Sequence, residues 1–466
     1  MIPLILALQT PPSAKVWEKP LAPGLIYRTE VDPAGPFVSY ALRVSPEAPD
    51  VRVEPVLAGT SVFGPGPLFG RGTVTQMAEE SGAIAAINTD FFPLGGGRGT
   101  GDPLGGLIID GELVSVGGMK RAVFGWGSAG AGAGFLDWNG SFGVAGGPKI
   151  PLQGLNEETG LNRVVLDTER AGIAFAKTPS VMATLQLDQE GPLHANEPRS
   201  AKVVALENNV TERPISPGQV VLCAQGTRMA ALNGLKLGDT VRFGFETRGL
   251  DATRQENVIG GGPFLLRNGT LAIDGGDEKF DDKSFVQKRH PRSAVGRTAA
   301  GDLIFFAVDG RTKVSVGMSL PELAAKMARL GCVEAINLDG GGSTALSLFG
   351  AAANRPSDGK ERAVAAGVAF FAEAPKDPRQ PSLVFRRRVS DDYVATLQLA
   401  GKPVPNGEIV WSAMGDAWID GGGLVTPIQS GAVTVRAVWR GKVVTNAYPV
   451  RTKRIGDKAP VYDPAD

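Results

Sequence analysis

The chain has 466 residues, of which 42% are hydrophobic and 21% are charged, and at about 100–200 residues per domain it predicts two or three domains with a sizeable core. Lysine plus arginine equals aspartate plus glutamate at 48 each, so no overall field favours nucleic acid and we expect no nucleic-acid partner. No run approaches the roughly 18 apolar residues of a membrane span, so we expect no transmembrane segment. The sequence does not indicate an oligomeric state.

The N-terminus, MIPLILALQTPPSAKVWE, combines a short apolar run with small residues. This pattern resembles a secretory signal, although the basic start of such signals is missing. One interpretation is therefore a secreted or cell-envelope protein that carries the remnant of a signal. The alternative is a cytoplasmic protein whose first strand follows a loose end.

The two cysteines, Cys223 in QVVLCAQG and Cys332 in RLGCVEAI, lie in apolar stretches, as is typical of small buried hydrophobic residues. Their spacing does not argue for a disulfide, although the sequence leaves one open. Because only His194 and His290 accompany them, a metal site built from cysteine and histidine is poorly supported.

Short apolar strand patterns and turn residues dominate the chain, which contains 63 glycines and 34 prolines. The clearest helices are predicted over Thr73–Gly82 and Ser319–Gly331, since each begins with a hydroxyl residue suited to an N-cap and ends with glycine. The predicted fold class is therefore α+β: a strand-rich mixed domain with few helices, followed by a small all-β sandwich.

Two segments of the large domain repeat one pattern. MAEESGAIAAINTDFF and MARLGCVEAINLDGGG each run from a helix through glycine and an apolar strand to Ile-Asn-x-Asp. If both are copies of one helix–strand unit, the polar pairs Asn88/Asp90 and Asn337/Asp339 follow the strand ends and converge on one cleft. The alternative is a coincidence of common residues.

The composition of the sequence changes near Pro375, where PKDPRQP is typical of a linker. The stretch GGGLVTPIQSGAVTVRAVWRGKVVTNAYPV resembles bacterial Ig-like repeats, and its alternating apolar residues suit a sandwich strand with one buried face. The predicted division is N-terminal strands over 1–50, a large domain over 51–373, a linker over 374–382 and an accessory Ig-like module over 383–466.

Triple glycines occur at residues 260–262 and 340–342, and each exceeds what a two-residue turn requires. Bare N–H groups of such runs can bind an anion, and nearby hydroxyls can add donors. Neither run fits a dinucleotide-binding motif or a P-loop. The predicted phosphate contacts are Gly261, Gly262, Gly340, Gly341, Gly342, Ser343 and Thr344.

Three charged residues stand at strand ends. Arg292 in HPRSAVG suits bidentate recognition of a phosphate or carboxylate, with a surface ion pair as the alternative. Asp309 in FFAVDGRT and Asp339 in INLDGGGST form a natural carboxylate pair for chemistry on a sugar, although Asp309 is equally suited to cap its own turn. The clustered oxygen ligands leave open a divalent cation such as Ca²⁺ or Mg²⁺, and no cofactor is certain.

The motifs together resemble the phosphodiester glycosidase family over roughly residues 51–371. The matching segments are Asn88 before Phe91-Phe92, Arg292-Ser293-Ala294-Val295-Gly296, Asp309-Gly310, Asn337 through Ser343, and Pro356-Ser357-Asp358 with Arg362. The family often has glycine where this chain has Asp90, so Asp90 is not included in the predicted catalytic set.

The resemblance implies hydrolysis of a sugar phosphodiester at the anomeric carbon, with a phosphorylated envelope or extracellular glycan as the substrate class and N-acetylglucosamine as one candidate sugar. The implied catalytic residues are Asp309 and Asp339, with the acid and base roles unassigned. The implied substrate contacts are Asn88, Arg292, Asn337, Gly340, Gly341, Gly342, Ser343, Asp358 and Arg362. Two alternatives stay open, namely a non-catalytic glycan-binding envelope protein and an exopolysaccharide-processing enzyme that acts on no phosphodiester.

Overall fold

A computed structural model describes residues 14–64, 67–95, 97–373, 377–388 and 391–452. The apolar N-terminal run lies outside these residues, as does part of the predicted linker. None of the helices in the described ranges has the length and hydropathy needed to span a bilayer. Cys223 and Cys332 are both buried and free, as the apolar context predicted.

Strands make up most of the regular structure. In chain order they begin with β1 (Lys15–Ala22), β2 (Leu25–Asp32), β3 (Phe37–Val44), β4 (Arg52–Leu57), β5 (Ala85–Asn88), β6 (Gly106–Ile109), β7 (Glu112–Val116), β8 (Ala122–Gly127), β9 (Gly130–Val144), β10 (Ile150–Leu152) and β11 (Gly154–Leu155). They continue with β12 (Val164–Asp167), β13 (Ile173–Leu187), β14 (Arg199–Pro214), β15 (Gln219–Ala224), β16 (Thr240–Gly249), β17 (Asn257–Gly260), β18 (Phe264–Arg267), β19 (Thr270–Leu271), β20 (Arg292–Thr298), β21 (Leu303–Val308) and β22 (Cys332–Asn337).

The remaining strands are β23 (Leu346–Leu348), β24 (Ala351–Ala352), β25 (Ala366–Phe371), β26 (Ser382–Arg387), β27 (Tyr393–Leu399), β28 (Lys402–Pro403), β29 (Val410–Met414), β30 (Ala417–Ile419), β31 (Leu424–Pro427), β32 (Gly431–Trp439) and β33 (Lys442–Val450). The α-helices are α1 (Val74–Ser81) and α2 (Leu320–Arg329), and a π-helical turn covers Asp282–Gln287. This strand-rich content with few helices confirms the predicted α+β class.

Both helices begin as their sequences predict. The Thr73 hydroxyl accepts from the Gln76 N–H at the start of α1, and Gly82 ends that helix with φ +76°. In α2 the caps are reciprocal, because Ser319 and Glu322 each accept from the other's backbone N–H. Such a capping box satisfies two N–H groups that have no partner within the helix.

Three sheets form the large domain. Sheet A has the order β1-β2-β3-β21-β20-β22-β18-β19, and sheet C has the order β24-β23-β5-β25-β4. Sheet B contains twelve strands in the order β11-β12-β15-β13-β14-β16-β9-β8-β17-β6-β7, with β10 paired to β9. Only the short β11–β12 pair among these described pairings is parallel.

Sheets A and C enclose one core, and each carries a helix on its other face. Leu42 of sheet A and Val368 of sheet C belong to this shared core, whereas Leu323 and Met327 of α2 pack on the opposite side of sheet A. Helix α1 covers sheet C in the same way through Met77. Full burial of each large apolar side chain contributes about 1.5–3 kcal/mol, so these faces hold the layers together.

The C-terminal strands form two antiparallel sheets, with the orders β26-β27-β31-β30 and β29-β32-β33, and β28 pairs with β27. Their inner faces share a core that includes Trp411 and Trp439. The strands also pack on the large domain, where Trp418 Nε1 donates to the Val314 carbonyl at 3.0 Å. The Ig-like assignment and the domain boundaries stay predictions.

Candidate active site

The two helix–strand units converge. Strand β5 of sheet C and strand β22 of sheet A each follow a helix, and the segments after them meet, because the Asp339 N–H donates to the Thr89 carbonyl at 2.8 Å. The Asn88 side chain also donates to the Asp339 carbonyl at 2.7 Å. These contacts confirm that the repeated Ile-Asn-x-Asp pattern brings both strand ends to one place.

Asn88 clamps the strand ends together. It is 1% exposed, and its carbonyl oxygen accepts from the Ser293 hydroxyl at 2.7 Å and from the Ala345 N–H at 3.1 Å. Because its amide also donates to the Asp339 carbonyl, the Asn88 side chain joins β5, β20 and the glycine-rich loop. Its predicted contact with substrate stays a prediction, and the observed bonds support a role in shaping the loop.

Asn337 joins the two triple-glycine segments. Its side-chain amide donates to the Gly262 carbonyl at 2.8 Å, and its own carbonyl accepts from the Gly262 N–H at 2.7 Å. The Gly261 N–H donates to the Ala122 carbonyl at 3.1 Å. Because both glycine N–H groups have internal partners, the geometry does not support the predicted phosphate contacts of Gly261 and Gly262.

Each glycine of the loop 340–342 has a steric reason. A Cβ on Gly340 would lie 2.8 Å from the Pro291 carbonyl oxygen, and Gly341 has φ +61°. A Cβ on Gly342 would lie 2.1 Å from Asp358 Oδ2 and 2.2 Å from Arg362 Nη2. The loop is therefore threaded between sheet A and an ion pair.

Several N–H groups of this loop are already bound. The Gly340 N–H donates to Asp339 Oδ1 at 2.8 Å, and the Gly341 N–H donates to the Pro291 carbonyl at 2.9 Å. The Thr344 N–H donates to the Gly341 carbonyl at 3.2 Å, while the buried Thr344 hydroxyl has no hydrogen-bond partner among the described residues. Phosphate binding by this backbone stays a prediction. Because these N–H groups already have acceptors, the arginine side chains near the loop are the better candidates for a phosphate contact.

Asp339 stands at the start of the loop and is half-buried. Burial raises the pKa of its carboxyl to about 6, and the Ser343 hydroxyl, the Gly340 N–H, Arg362 and Arg121 each lower the pKa and so limit that rise. A carboxyl with a pKa near neutrality suits proton transfer at physiological pH.

Asp309 is fully buried behind the loop. Its Oδ2 accepts from the Tyr40 hydroxyl at 2.9 Å, and its Oδ1 accepts from the Arg355 N–H at 2.9 Å. Burial raises the pKa of this carboxyl to about 6. No hydrogen bond joins Asp309 to Asp339 among the described residues, so the structure does not bring the predicted pair together through a direct contact.

Arg292 is 1% exposed and donates to three carbonyls. Its Nε reaches Met318 O at 2.9 Å, and its Nη2 reaches Phe285 O at 2.5 Å and Lys288 O at 3.0 Å. Burial, and then the positive charge of Arg311, lowers the pKa of the guanidinium to about 9. These bonds fix the segment around the π-helical turn, so the predicted phosphate contact of Arg292 stays a prediction.

Arg362 and Asp358 form an ion pair on the loop. Nε and Nη2 of Arg362 donate to Asp358 Oδ2 at 3.1 and 2.7 Å, and Nη1 approaches the Ser343 hydroxyl at 3.4 Å. Both side chains remain about one-third exposed. The pair is thus partly open to solvent beside Gly342, and its predicted contact with substrate stays a prediction.

Arg311 was not predicted as a site residue, although the motif AVDGRT contains it. It has φ +59°, and its Nη2 would lie 3.1 Å from a Cβ on Gly341. Its Nη2 donates to His290 Nδ1 at 3.3 Å, which requires a neutral imidazole, and burial together with nearby arginines lowers the pKa of His290. The left-handed backbone at Arg311, within the motif AVDGRT, is the feature that marks this residue.

Arg121 lies near Asp339, because the carbonyl of the next residue, Ala122, accepts from the Gly261 N–H, and the Gly262 N–H donates to Asn337, two residues before Asp339. The positive charge of Arg121 lowers the pKa of Asp339, and the negative charge of Asp339 adds to the raised pKa of Asp90. Asp90 is 2% exposed and accepts from the N–H groups of Phe91 at 2.7 Å and Gly105 at 2.6 Å. Burial raises the pKa of Asp90 to about 7. No motif in the sequence marks Arg121, which directly precedes β8.

The described residues contain no group of three or more His, Cys, Asp or Glu side chains arranged to hold a metal ion. The carboxylates of Asp90, Asp309 and Asp339 instead accept hydrogen bonds from backbone N–H or hydroxyl groups. The hypothesis of a divalent cation therefore has no ligand set in the part of the chain that the structure describes.

Part of the chain matches a family of known proteins. Residues 200–371 match the model of the phosphodiester glycosidase family, which confirms the resemblance predicted from the motifs. That segment contains Arg292, Asp309, Asp339, Asp358 and Arg362. Asn88 and Arg121 lie outside it.

The relatives with known names align over part of their length. The mouse N-acetylglucosamine-1-phosphodiester alpha-N-acetylglucosaminidase is 34% identical over 155 residues, which cover 31% of this chain and 30% of the mouse protein. The human protein of the same name is 36% identical over 109 residues, which cover 22% and 21%. The chain thus spans less than a third of these relatives.

Two solved structures share the fold. A hypothetical protein from Synechocystis has a TM-score of 0.62 at 22% identity and covers 77% of this chain and 64% of its own. A Burkholderia pseudomallei protein has a TM-score of 0.58 at 22% identity and covers 72% and 74%. At this identity the likeness concerns the fold alone.

Proposed function

We propose that this protein is a hydrolase that cleaves a sugar phosphodiester at the anomeric carbon, releasing a free sugar and a phosphomonoester. The observation that carries the proposal is the position of Asp339, whose carboxyl stands at the start of a glycine-rich loop overlain by Arg311 and Arg362. The match of residues 200–371 to the phosphodiester glycosidases supports the reaction class. The mouse and human relatives support N-acetylglucosamine as the first sugar to test.

The chemistry places different demands on the two halves of the substrate. The anomeric carbon needs a nucleophile and stabilisation of its developing positive charge, which a carboxylate supplies. The departing phosphate already carries negative charge, so cations can stabilise it without a proton donor. We assign Asp339 to the anomeric side, as the base for an attacking water or as the nucleophile, and the arginines around the loop to the phosphate side.

The other predicted residues support this arrangement in different ways. The Ser343 hydroxyl hydrogen-bonds to the Asp339 carboxyl, and Asp358 positions Arg362. Asn88 and Asn337 hold the two strand ends and their loops. A catalytic role for Asp309 stays a prediction, and its two internal hydrogen bonds favour a structural role. A phosphodiester-linked sugar of wall or capsule polymers is the natural substrate class, and a location outside the cytoplasm would follow from it.

The test is release of N-acetylglucosamine from an alkyl phosphodiester of α-N-acetylglucosamine. We expect wild-type protein to release the sugar together with one equivalent of alkyl phosphate, and Asp339→Asn to lose most of that activity. Equal release by wild type and Asp339→Asn would refute the assignment. Binding of the substrate without turnover would instead favour the glycan-binding alternative.

A further inference from the structure

Arg121 carries a guanidinium that the fold leaves without hydrogen-bond acceptors. Its Nε and Nη1 are buried and have no hydrogen-bond partner among the described residues. The group packs against two aromatic rings, with Cζ 5.0 Å from the centroid of Phe91 and 4.5 Å from that of Phe280. Cation–π contacts stabilise the positive charge but satisfy no N–H group, so these two donors stay without an acceptor.

The carboxylates near Arg121 do not fill this need. Burial lowers the pKa of the Arg121 guanidinium, and the negative charges of Asp90, Glu278 and Asp339 oppose that shift. Within the described ranges none of the three forms an ion pair or a hydrogen bond with the buried Nε and Nη1. Glu278 accepts from the N–H groups of Ala122 at 2.7 Å and Phe264 at 2.9 Å. The carboxylates of Asp90 and Asp339 are likewise bound to backbone N–H groups. The three carboxylates therefore offset part of the cost of burying the charge without satisfying its donors.

A buried donor without an acceptor destabilises the folded state, and more so when the group is charged. A fold that retains such a group next to its candidate catalytic carboxyl favours a ligand with oxyanion acceptors, since guanidinium groups bind phosphate oxygens through paired N–H donors. We propose that Arg121 binds the phosphate group of the substrate beside Asp339 and makes the site specific for anionic leaving groups. This inference rests on the proposed function and adds Arg121, which lies outside the loop, to the arginines on the phosphate side.

Charge balance gives Arg121 a role in the bond-breaking step. The bond between the anomeric carbon and the phosphate oxygen breaks, and its electron pair stays with that oxygen, so the charge on the phosphate grows. The new bond forms from a water oxygen to the anomeric carbon, and the proton of the water passes to the Asp339 carboxylate. A fixed cation at the phosphate stabilises the growing charge without itself exchanging a proton.

The alternative is that Arg121 only balances the charge of the surrounding carboxylates. Both roles predict a loss of activity when Arg121 is replaced, so the experiment must compare substrates with and without a phosphate. The neighbouring Lys120 offers a matched control, because its side chain is more than half exposed and its ammonium pairs with Asp277 at 3.4 Å. Arg121→Gln and Lys120→Gln remove the same formal charge from adjacent positions.

The substrates are an alkyl phosphodiester of α-N-acetylglucosamine and the uncharged p-nitrophenyl α-N-acetylglucosaminide. We expect Arg121→Gln to lose about 100-fold in kcat/KM on the phosphodiester. On the nitrophenyl glycoside it should change by less than about threefold, and Lys120→Gln should change little on either. Arg121→Lys, which keeps the charge, should fold normally and show the same preference with a smaller loss. Equal losses on both substrates would overturn the proposal.

A binding measurement separates this inference from the proposed hydrolysis. Inorganic phosphate should raise the Tm of wild-type protein and of Lys120→Gln relative to chloride at equal ionic strength, because a ligand that binds the folded state stabilises it. Arg121→Gln should lose this shift. If wild type releases no sugar, the hydrolysis proposal fails while the phosphate shift still decides the role of Arg121. An equal shift in Arg121→Gln, or none in wild type, would refute phosphate binding by this residue.

Discussion

The Arg355 N–H donates to Asp309 Oδ1 at 2.9 Å, and the guanidinium of the same arginine donates to the carbonyls of Ala413 and Ala417 in the C-terminal strands. Arg355 thus links Asp309 to the contact between the large domain and the C-terminal sheets. Its other oxygen accepts from the Tyr40 hydroxyl of sheet A. The carboxyl therefore joins sheet A to the segment that carries Arg355.

We predict that Asp309→Asn keeps most of the activity. The amide is nearly isosteric, its oxygen can accept from the Arg355 N–H, and its NH₂ can donate to the Tyr40 hydroxyl once that group rotates. The measurement is kcat/KM on the phosphodiester beside Asp339→Asn. A loss as large as that of Asp339→Asn would show that Asp309 is catalytic, as the motif resemblance implies.

The same variant gives a prediction for pH and stability. Burial raises the pKa of Asp309 to about 6, whereas an aspartate in the unfolded chain has a pKa near 4. The folded state therefore binds the proton more tightly, so this stabilisation is complete below about pH 4 and is lost as pH rises through about 6. The difference in Tm between wild type and Asp309→Asn should become less favourable to wild type from pH 4 to pH 7. A difference independent of pH would contradict this.

Arg355→Met should loosen the C-terminal strands from the large domain. The residue is 8% exposed, and its removal leaves buried carbonyls without donors, at about 1–3 kcal/mol for each. Thermal unfolding and amide exchange of β29 and β30 would measure the effect. Lys313→Ala is the control, since it removes an exposed contact to Gln429 between the same two parts and should change stability by less than about 0.5 kcal/mol. Equal effects of both variants would show that Arg355 does not fasten this contact.

Activity should rise with pH through the pKa of Asp339, which burial raises to about 6, if the ionised carboxylate is the reactive form. The positive charge of Arg362 lowers this pKa, so Arg362→Gln should shift the rising limb of kcat/KM to higher pH. The pH profiles of both proteins check the shift. An unchanged midpoint with a reduced plateau would mean that Arg362 acts on substrate alone.

Gly342→Ala should disrupt the loop, because the new Cβ would lie about 2 Å from the Asp358–Arg362 pair. We expect a loss of activity of at least about tenfold, since the misplacement of a positioning group by about 1 Å can cost 100-fold. Gly132→Ala in β9 is the control, since its Cβ would meet nothing within 4 Å. Wild-type activity in Gly342→Ala would show that the ion pair can move aside without loss of activity.

Local patterns in the sequence identified much of this architecture. The caps at Thr73 and Ser319 fix where the helices begin, and the repeated Ile-Asn-x-Asp pattern indicates that two strand ends meet. These features depend on residues a few positions apart, or on one unit that occurs twice. They are legible because hydrogen bonds and periodicity within each unit determine them.

The direction in which a polar group points could not be predicted in the same way. The Gly261 N–H donates to the Ala122 carbonyl, and the Asp309 carboxyl accepts from the hydroxyl of Tyr40, which is 269 residues away in the sequence. Arg121 becomes noticeable only when its buried nitrogens are found without partners. Such properties depend on contacts between distant strands, which a single sequence does not specify.

The Asn88 clamp has a consequence for dissecting the protein into fragments. The stretch that matches the family, residues 200–371, supplies Asp339 but lacks β5, whose last residue is Asn88, and β4, which pairs with β25. A fragment cut to that stretch would expose one face of sheet A and leave the loop untethered. The smallest piece that contains the whole site therefore has to reach back to β3, which pairs with β21 and carries Tyr40, so the two halves of this site are to be expressed, and exchanged between relatives, as one inseparable unit.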